Sequence, residues 1–288
     1  MATIRQVRQR IRVAKNIQQI TKAMKMVAAA RLKRAQEHVQ AARPYSQSLR
    51  EIMTSVASAA GGEVQHPLLE HRETKTVAFF IVTSDRGLAG SYNSTMFRRA
   101  AELLKHYDKA NVKLYIVGRK GIQFFSRRGY NVAGQFSLGS VVTIADARNI
   151  VAVLRSAFES GEVDEVTMLY TRFYTAITQK AVDVQLLPIQ TPAAADASET
   201  QQEDFLFEPD AGRLLASLLP RYLEGQVFQA LLESSASEHG SRMTAMSSAT
   251  DNAGKMIQTL TLQMNRVRQA NITREISEIV GGAEALKG

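Results

Sequence analysis

Cysteine is missing from all 288 residues, which excludes thiol nucleophiles, thiolate metal ligands and disulfide staples. A chain of this length can bury a sizeable core without them. Histidine is also scarce. His38, His66, His71, His106 and His239 are scattered, and no pair has the spacing of a helical or ribbon-type metal site, so no metal is expected. No stretch approaches the roughly 18 consecutive apolar residues of a membrane span, and the N-terminus lacks the apolar segment of a secretory signal. Those absences predict a soluble or membrane-peripheral chain without direct membrane insertion.

Phosphate-binding signatures are lacking as well. There is no G-x-G-x-x-G, and the only Gly-Lys pair, Gly254-Lys255, precedes Met256 inside a helical pattern, where it cannot form a phosphate loop. No G-x-S-x-G elbow occurs. The reading therefore assigns no catalytic residue and no cofactor.

Acid is nearly absent from one end. Before position 51, twelve Lys and Arg residues face Glu37 alone, within an overall balance of 36 basic to 27 acidic side chains. A basic stripe of this kind implies an acidic partner, which could be nucleic acid, an anionic membrane surface or acidic protein loops. Mitochondrial transit peptides are also Arg-rich and acid-poor, but they do not sustain an apolar period over so many turns, so the segment is read as mature structure.

Glycine is absent from Thr3 to Ala60, Pro44 is the only proline there, and strong helix formers dominate. Residues 1–60 are predicted to form one helix. Val13, Ile17, Ile20, Met24 and Val27 recur at alternating steps of four and three, as a coiled-coil seam does, with Ile4, Val7, Ile11 and Ala14 on a neighbouring stripe. Gly61-Gly62 ends the helix, and a polar connector follows to Lys75.

The middle changes character. The apolar run Val77 to Thr83, the turn Ser84 to Asn93, and a helical pattern through Phe97, Ala100, Leu104 and Tyr107 read as strand, glycine turn and helix. The theme recurs with a strand at Val112 to Val117 and a short helix near Gly121 to Arg127. A helix marked by Ile144, Ala147, Val151, Leu154 and Phe158 then precedes a strand at Val166 to Thr171. Val182, Val184 and Leu186 alternate like an edge strand. Residues 75–190 thus form an open, mostly parallel α/β domain of Rossmann-like kind. The polar stretch 191–208 reads as a loop or mobile insertion.

From 209 to 286 the chain is helical again. Met243, Met246, Thr250, Ala253, Ile257, Leu260, Met264 and Val267 hold steps of three and four, and Ile272, Ile276 and Ile279 continue on a shifted stripe. Two seams at opposite ends of one chain close on each other as an antiparallel pair. The fold class is α/β plus long helical: a terminal coiled coil with an inserted α/β domain.

Particular residues point to a family. The run Ile17-Gln-Gln-Ile-Thr-Lys-Ala-Met-Lys-Met-Val-Ala-Ala-Ala30, the turn Thr83-Ser-Asp-Arg-Gly-Leu-Ala-Gly-Ser-Tyr-Asn93, and the C-terminal stretches Ala236 to His239, Arg242 to Met246, Ala249 to Gly254 and Ile272 to Ala283 occur in order along nearly the whole chain. In all of these the chain resembles gamma subunits of F-type ATP synthases. It departs where Ala89 stands in place of a common cysteine and Ser91 in place of a common glycine, and it lacks the cysteine-bearing regulatory insertion of chloroplast members.

The resemblance implies a non-catalytic central-stalk rotor. Its partners would be the alpha and beta subunits of the catalytic head, the epsilon subunit and the c-ring of the membrane sector. Nucleotide and Mg would bind to alpha and beta rather than to this chain. Arg268 and Gln269 would meet a catch loop of beta, and Lys22, Lys25, Arg31, Lys33 and Arg34 its acidic lever loop. Asp85, Arg86, Gly87, Gly90 and Asn93 would help to form the foot. Localisation would be peripheral, on the cytoplasmic face of the bacterial inner membrane, the alternative being the matrix face of the mitochondrial inner membrane. A nucleic-acid partner is not expected, because the apolar seam interleaves with the basic residues and basic-zipper regions fork away from theirs.

Overall fold

A computed structural model of the protein describes residues 3–59, 66–190 and 210–285. The Gly61-Gly62 stop and the 191–208 stretch lie outside these residues. Five helices and five strands follow in the order α1 (Ile4–Ala59), β1 (Val77–Val82), α2 (Tyr92–Leu104), β2 (Val112–Val117), α3 (Arg119–Ser126), β3 (Asn131–Phe136), α4 (Ile144–Glu159), β4 (Glu165–Phe173), β5 (Gln179–Leu187) and α5 (Ala211–Ala285). The chain divides into two compact units, one of residues 1–28 with 243–288, the other of residues 29–242.

In the larger unit the strands pair in the order β3-β2-β1-β4-β5. β1, β2, β3 and β4 are parallel neighbours, and β5 runs antiparallel to β4. β1 is buried along its whole length, as its unbroken run Val-Ala-Phe-Phe-Ile-Val requires of a central strand covered on both faces. One face packs on α2 and α3 through Met96, Ala100, Leu104 and Phe125. The other is covered by α4 together with α1 and α5, through Leu154 and Phe158, Met53 and Val56, and Leu219 and Leu223. α4 starts at a capping box in which the Thr143 and Asp146 side chains each bond the other's backbone amide.

The expected strands and helices are present, with one addition. β3 was not expected: its sequence Asn-Val-Ala-Gly-Gln-Phe is half-exposed and glycine-containing, so it shows neither an apolar run nor a strong β propensity. Tyr107, expected on the buried face of α2, lies beyond that helix and is 38% exposed, its ring edge-on to Phe79.

The smaller unit is an antiparallel helix pair, and here the N-terminal seam needs correction. Val13, Ile17, Ile20 and Val27 are 51%, 47%, 59% and 55% exposed, and Met24 is only half-buried. The buried side chains are Val7, Ile11, Ala14 and Ala28. They belong to a heptad through Ile4, Val7, Ile11, Ala14, Gln18, Thr21, Lys25 and Ala28, which continues along α1 to Leu32, Val39, Leu49, Met53 and Val56. Polar residues occupy its middle, which is why apolar periodicity pointed to the adjacent stripe. Their partners are polar too: Thr250 Oγ1 donates to Thr21 Oγ1 at 2.8 Å, and Lys25 Nζ to Ser247 Oγ at 3.0 Å. On α5, Met243, Ile257, Leu260, Met264 and Val267 are half-buried, and Met246 and Ala253 are buried.

A tight crossing joins β2 to α3. Gly118 sits at φ +94°, and a Cβ there would collide with the Thr83 carbonyl. Beneath it, the buried Thr83 Oγ1 donates to Val117 O (2.7 Å) and accepts from Gly121 N (3.0 Å). We expect Gly118→Ala to destabilise the chain by roughly 3 kcal/mol or more, since left-handed strain and backbone overlap add. Urea unfolding measures it, and a loss below about 1 kcal/mol would show that the crossing relaxes freely.

Candidate functional site

In doubly wound sheets, ligands bind beyond the carboxyl ends of the strands, where the strand order reverses. That point here lies between β1 and β4. Helix α5 fills it. Thr171 N donates to Ser234 Oγ (3.3 Å), Ser237 Oγ donates to Thr171 O (3.2 Å), and Phe173 N donates to Glu233 Oε2 (3.4 Å). Tyr92 is buried beside them, and burial pushes its phenol well above the ordinary value. The polar strand ends that would hold a ligand are satisfied by the protein's own helix.

The loop from Ser84 to Asn93 is held from within. Asn93 Oδ1 accepts from Ser84 N (3.2 Å), and Asn93 Nδ2 donates to Ser84 Oγ (2.7 Å), which itself donates to Arg86 O (2.7 Å). Asp85 Oδ1 accepts from Arg119 N (3.0 Å) at the start of α3. Leu88 and Gly90 both adopt positive φ, 63° and 55°, letting the loop close tightly. Arg86, Gly87 and Leu88 are left exposed at its tip.

Arg242 on α5 braces this loop. Its guanidinium pairs with Glu238 at 2.5 Å and donates to Gly87 O at 3.4 Å. It also lies 3.2 Å from Nδ1 of His239. A guanidinium can only donate, so the neutral imidazole carries its proton on Nε2. Burial, then the positive charges of Arg242 and Arg31, lower the His239 pKa to about 4. Sequence reading found this histidine but gave it no role, because its burial and the approach of Arg31, distant in the chain, appear only in the fold.

On the smaller unit, the exposed apolar residues Val13, Ile17, Ile20 and Val27 interleave with the exposed bases Lys15 and Lys22. A contiguous apolar stripe on a soluble surface marks a contact site for another macromolecule. Among the described residues, nothing in the pair positions a nucleophile or a proton-transfer couple. The constellation is that of a binding rod.

A family model described as ATP synthase matches residues 3–286. The ATP synthase gamma chain of Desulforamulus reducens is 48% identical over 288 residues, covering 100% of both chains. That of Symbiobacterium thermophilum is 51% identical over 285 residues, covering 98% of each. This chain belongs to the ATP synthase gamma-chain family. Among solved structures, the central stalk and c-ring of the Tetrahymena thermophila mitochondrial ATP synthase contains a chain 28% identical, with a TM-score of 0.63 over 80% of this chain and 99% of that one. A chain of the Euglena gracilis mitochondrial ATP synthase shares the fold, with a TM-score of 0.69 at 18% identity over 98% of this chain and 94% of that one.

In this gamma-family chain the residues singled out from sequence are divided between the units. Lys22, Lys25, Arg268 and Gln269 belong to the helix pair, and all four are exposed, Lys25 with its ammonium on Ser247. Arg31, Lys33 and Arg34 are exposed on the part of α1 in the larger unit, as are Arg86, Gly87 and Gly90 in the loop. Asp85 and Asn93 face inward and hold the loop, as the hydrogen bonds above show. Among the described residues, no helix is long and apolar enough to cross a membrane.

His239 makes acid stability measurable. Its folded pKa lies below the ordinary 6.5, so between pH 6.5 and about 4 the unfolded chain binds a proton that the folded chain refuses. Stability then rises with pH through that window and is lost as pH falls, by at most about 3 kcal/mol at about 1.4 kcal/mol per unit. His239→Gln should remove this part of the slope, read as the difference between wild-type and variant urea midpoints at pH 4.5 and 7.5. Parallel curves would mean that the imidazole titrates normally.

Proposed function

We propose that this chain is the central-stalk rotor of a proton-translocating F-type ATP synthase, coupling rotation of the membrane ring to successive conformational changes at the catalytic sites of the beta subunits. The observation that carries the reading is the full-length match to ATP synthase gamma chains at up to 51% identity. The helix pair adds physical support through an apolar stripe and flanking bases that no part of its own unit covers.

In this reading the chain is not itself catalytic, and the nucleotide and Mg of the reaction bind alpha and beta. It works by differential contact. A shaft whose sides differ in shape and charge stabilises a different conformation in each beta subunit it faces, so turning it cycles three equivalent sites through three affinities. Val13, Ile17, Ile20 and Val27 give the shaft an apolar side. The exposed Lys22, Arg31, Lys33 and Arg34 attract an acidic lever loop, and Arg268 and Gln269 meet a catch loop. The α/β unit serves as the foot toward epsilon and the c-ring. The chain is then peripheral to the cytoplasmic face of a bacterial membrane, in keeping with the bacterial origin of its similar relatives.

The test mixes the chain with alpha and beta subunits and measures ATP hydrolysis. Activity should require a stoichiometric complex containing it, and hydrolysis by the chain alone would sink the reading. Within that complex, Ile17→Asp with Ile20→Asp should lower turnover about tenfold, equivalent to about 1.4 kcal/mol. Both positions are exposed, so the isolated chain should keep its stability to within about 0.5 kcal/mol. Full activity in the double variant would show that this stripe is not the working contact.

A further inference from the structure

A cleft of about 310 Å³ opens beyond the carboxyl ends of β1, β2 and β3, bounded on one side by α5 and at its rim by α1. It adjoins the plugged point between β1 and β4, sharing Tyr92 and Ser234 with it. Val82, Val117 and Leu231 give it an apolar floor, while Arg31 and Arg86 stand at its mouth. Ser137 and Ser140 from the β3–α4 loop and Ser235 from α5 add hydroxyls. We propose that this cleft binds a small phosphate-bearing anion, with Arg31 and Arg86 holding the phosphate.

The charge accounting favours that ligand class. Two carboxylates line the cleft, and both are committed. Asp85 accepts from the amide of Arg119 and pairs with its side chain, and Glu238 pairs with Arg242. Arg31 and Arg86 have no carboxylate within ion-pair distance among the described residues, and the hydroxyls of Ser137, Ser140 and Ser235 have no hydrogen-bond partner there. Two planar guanidinium forks and the hydroxyls lining the same cleft suit the oxygens of a phosphate, which accepts several charge-assisted hydrogen bonds at once.

His239 is a reporter placed within this cleft. It lines the cleft, and the arginine charges around it help to keep its ring neutral. A dianion on Arg31 would offset that field and make the imidazole easier to protonate. The volume is at the lower limit of small-molecule sites and admits pyrophosphate or a mononucleotide, whose base would lie on the apolar floor.

The experiment uses the full chain alone, so its result does not depend on the rotor reading. Melting temperature is measured with 5 mM inorganic pyrophosphate, with 5 mM adenosine monophosphate, and with sodium chloride at matched ionic strength. Either phosphate compound should raise it by at least about 3 °C over the chloride control, by mass action on the folded state. A larger shift with the nucleotide would mean that the apolar floor holds its base. In the same sample the His239 ring pKa, followed by NMR, should rise above its free value of about 4. Arg86→Gln and Arg31→Gln, both at exposed positions, should abolish both responses, and Arg86→Lys should restore part of the melting shift. The proposal is overturned if neither compound exceeds chloride, if the shift survives in the Arg31→Gln/Arg86→Gln double variant, or if a Glu-rich peptide stabilises the chain where pyrophosphate does not.

Discussion

The larger unit depends on helix α5 satisfying the polar ends of the sheet. A parallel sheet exposes unpaired N–H and C=O groups where its strands stop, and burying them unpaired costs about 1–3 kcal/mol each. Ser234, Ser237 and Glu233 answer the ends of β4 from a helix whose Arg242, paired with Glu238, braces the β1–α2 loop. These groups recur at helical spacing, so one face of α5 serves both tasks. The serines are small enough to let the helix axis approach the strand ends, and each supplies one hydroxyl where a bulkier side chain would hold the helix away. The same contact occupies the crevice in which related folds bind ligand, and it turns a fold associated with binding into a mount for a helix.

Much of this architecture was legible in advance. The apolar run of β1, the glycine turn after it and the spacing of Ala147, Val151, Leu154 and Phe158 each have one physical solution, a buried strand or an amphipathic helix against it. β3 was invisible because an edge strand with one half-exposed face needs no strong pattern, and its pairing with β2 is fixed by neighbours distant in sequence. His239 and Arg31 show the same limit at the level of charge. They are 208 positions apart in the chain, so only the folded structure brings their electrostatics together.

The N-terminal seam is the instructive error. Two apolar stripes run along the first turns of α1, and periodicity cannot say which one is buried. Val13, Ile17, Ile20, Met24 and Val27 form the stronger pattern, yet the heptad that packs on α5 passes through the half-buried Gln18 and Thr21 and the exposed Lys25. What decides between them is complementarity with α5. Thr250 and Ser247 offer hydroxyls at the matching level, and Val or Ile facing them would leave the Thr250–Thr21 and Lys25–Ser247 hydrogen bonds unmade. A polar layer of this kind costs stability relative to leucine, but it selects one register among several that an all-apolar seam would tolerate.

That arrangement places polar groups inside and apolar groups outside over the same few turns, the reverse of what a helix pair would choose for its own stability. Burying Thr21 and Thr250 gains little, and leaving Val13, Ile17, Ile20 and Val27 in water forgoes on the order of 1 kcal/mol or more for each that could have been buried. Neither feature improves the isolated pair. Both make sense if selection acts on an assembled state in which another surface covers the stripe while the polar layer keeps the two helices from sliding past each other. A shaft that bears torque needs a fixed register more than a deep internal seam. The stability missing from this region of the free chain is then recovered by contact with the sleeve around it.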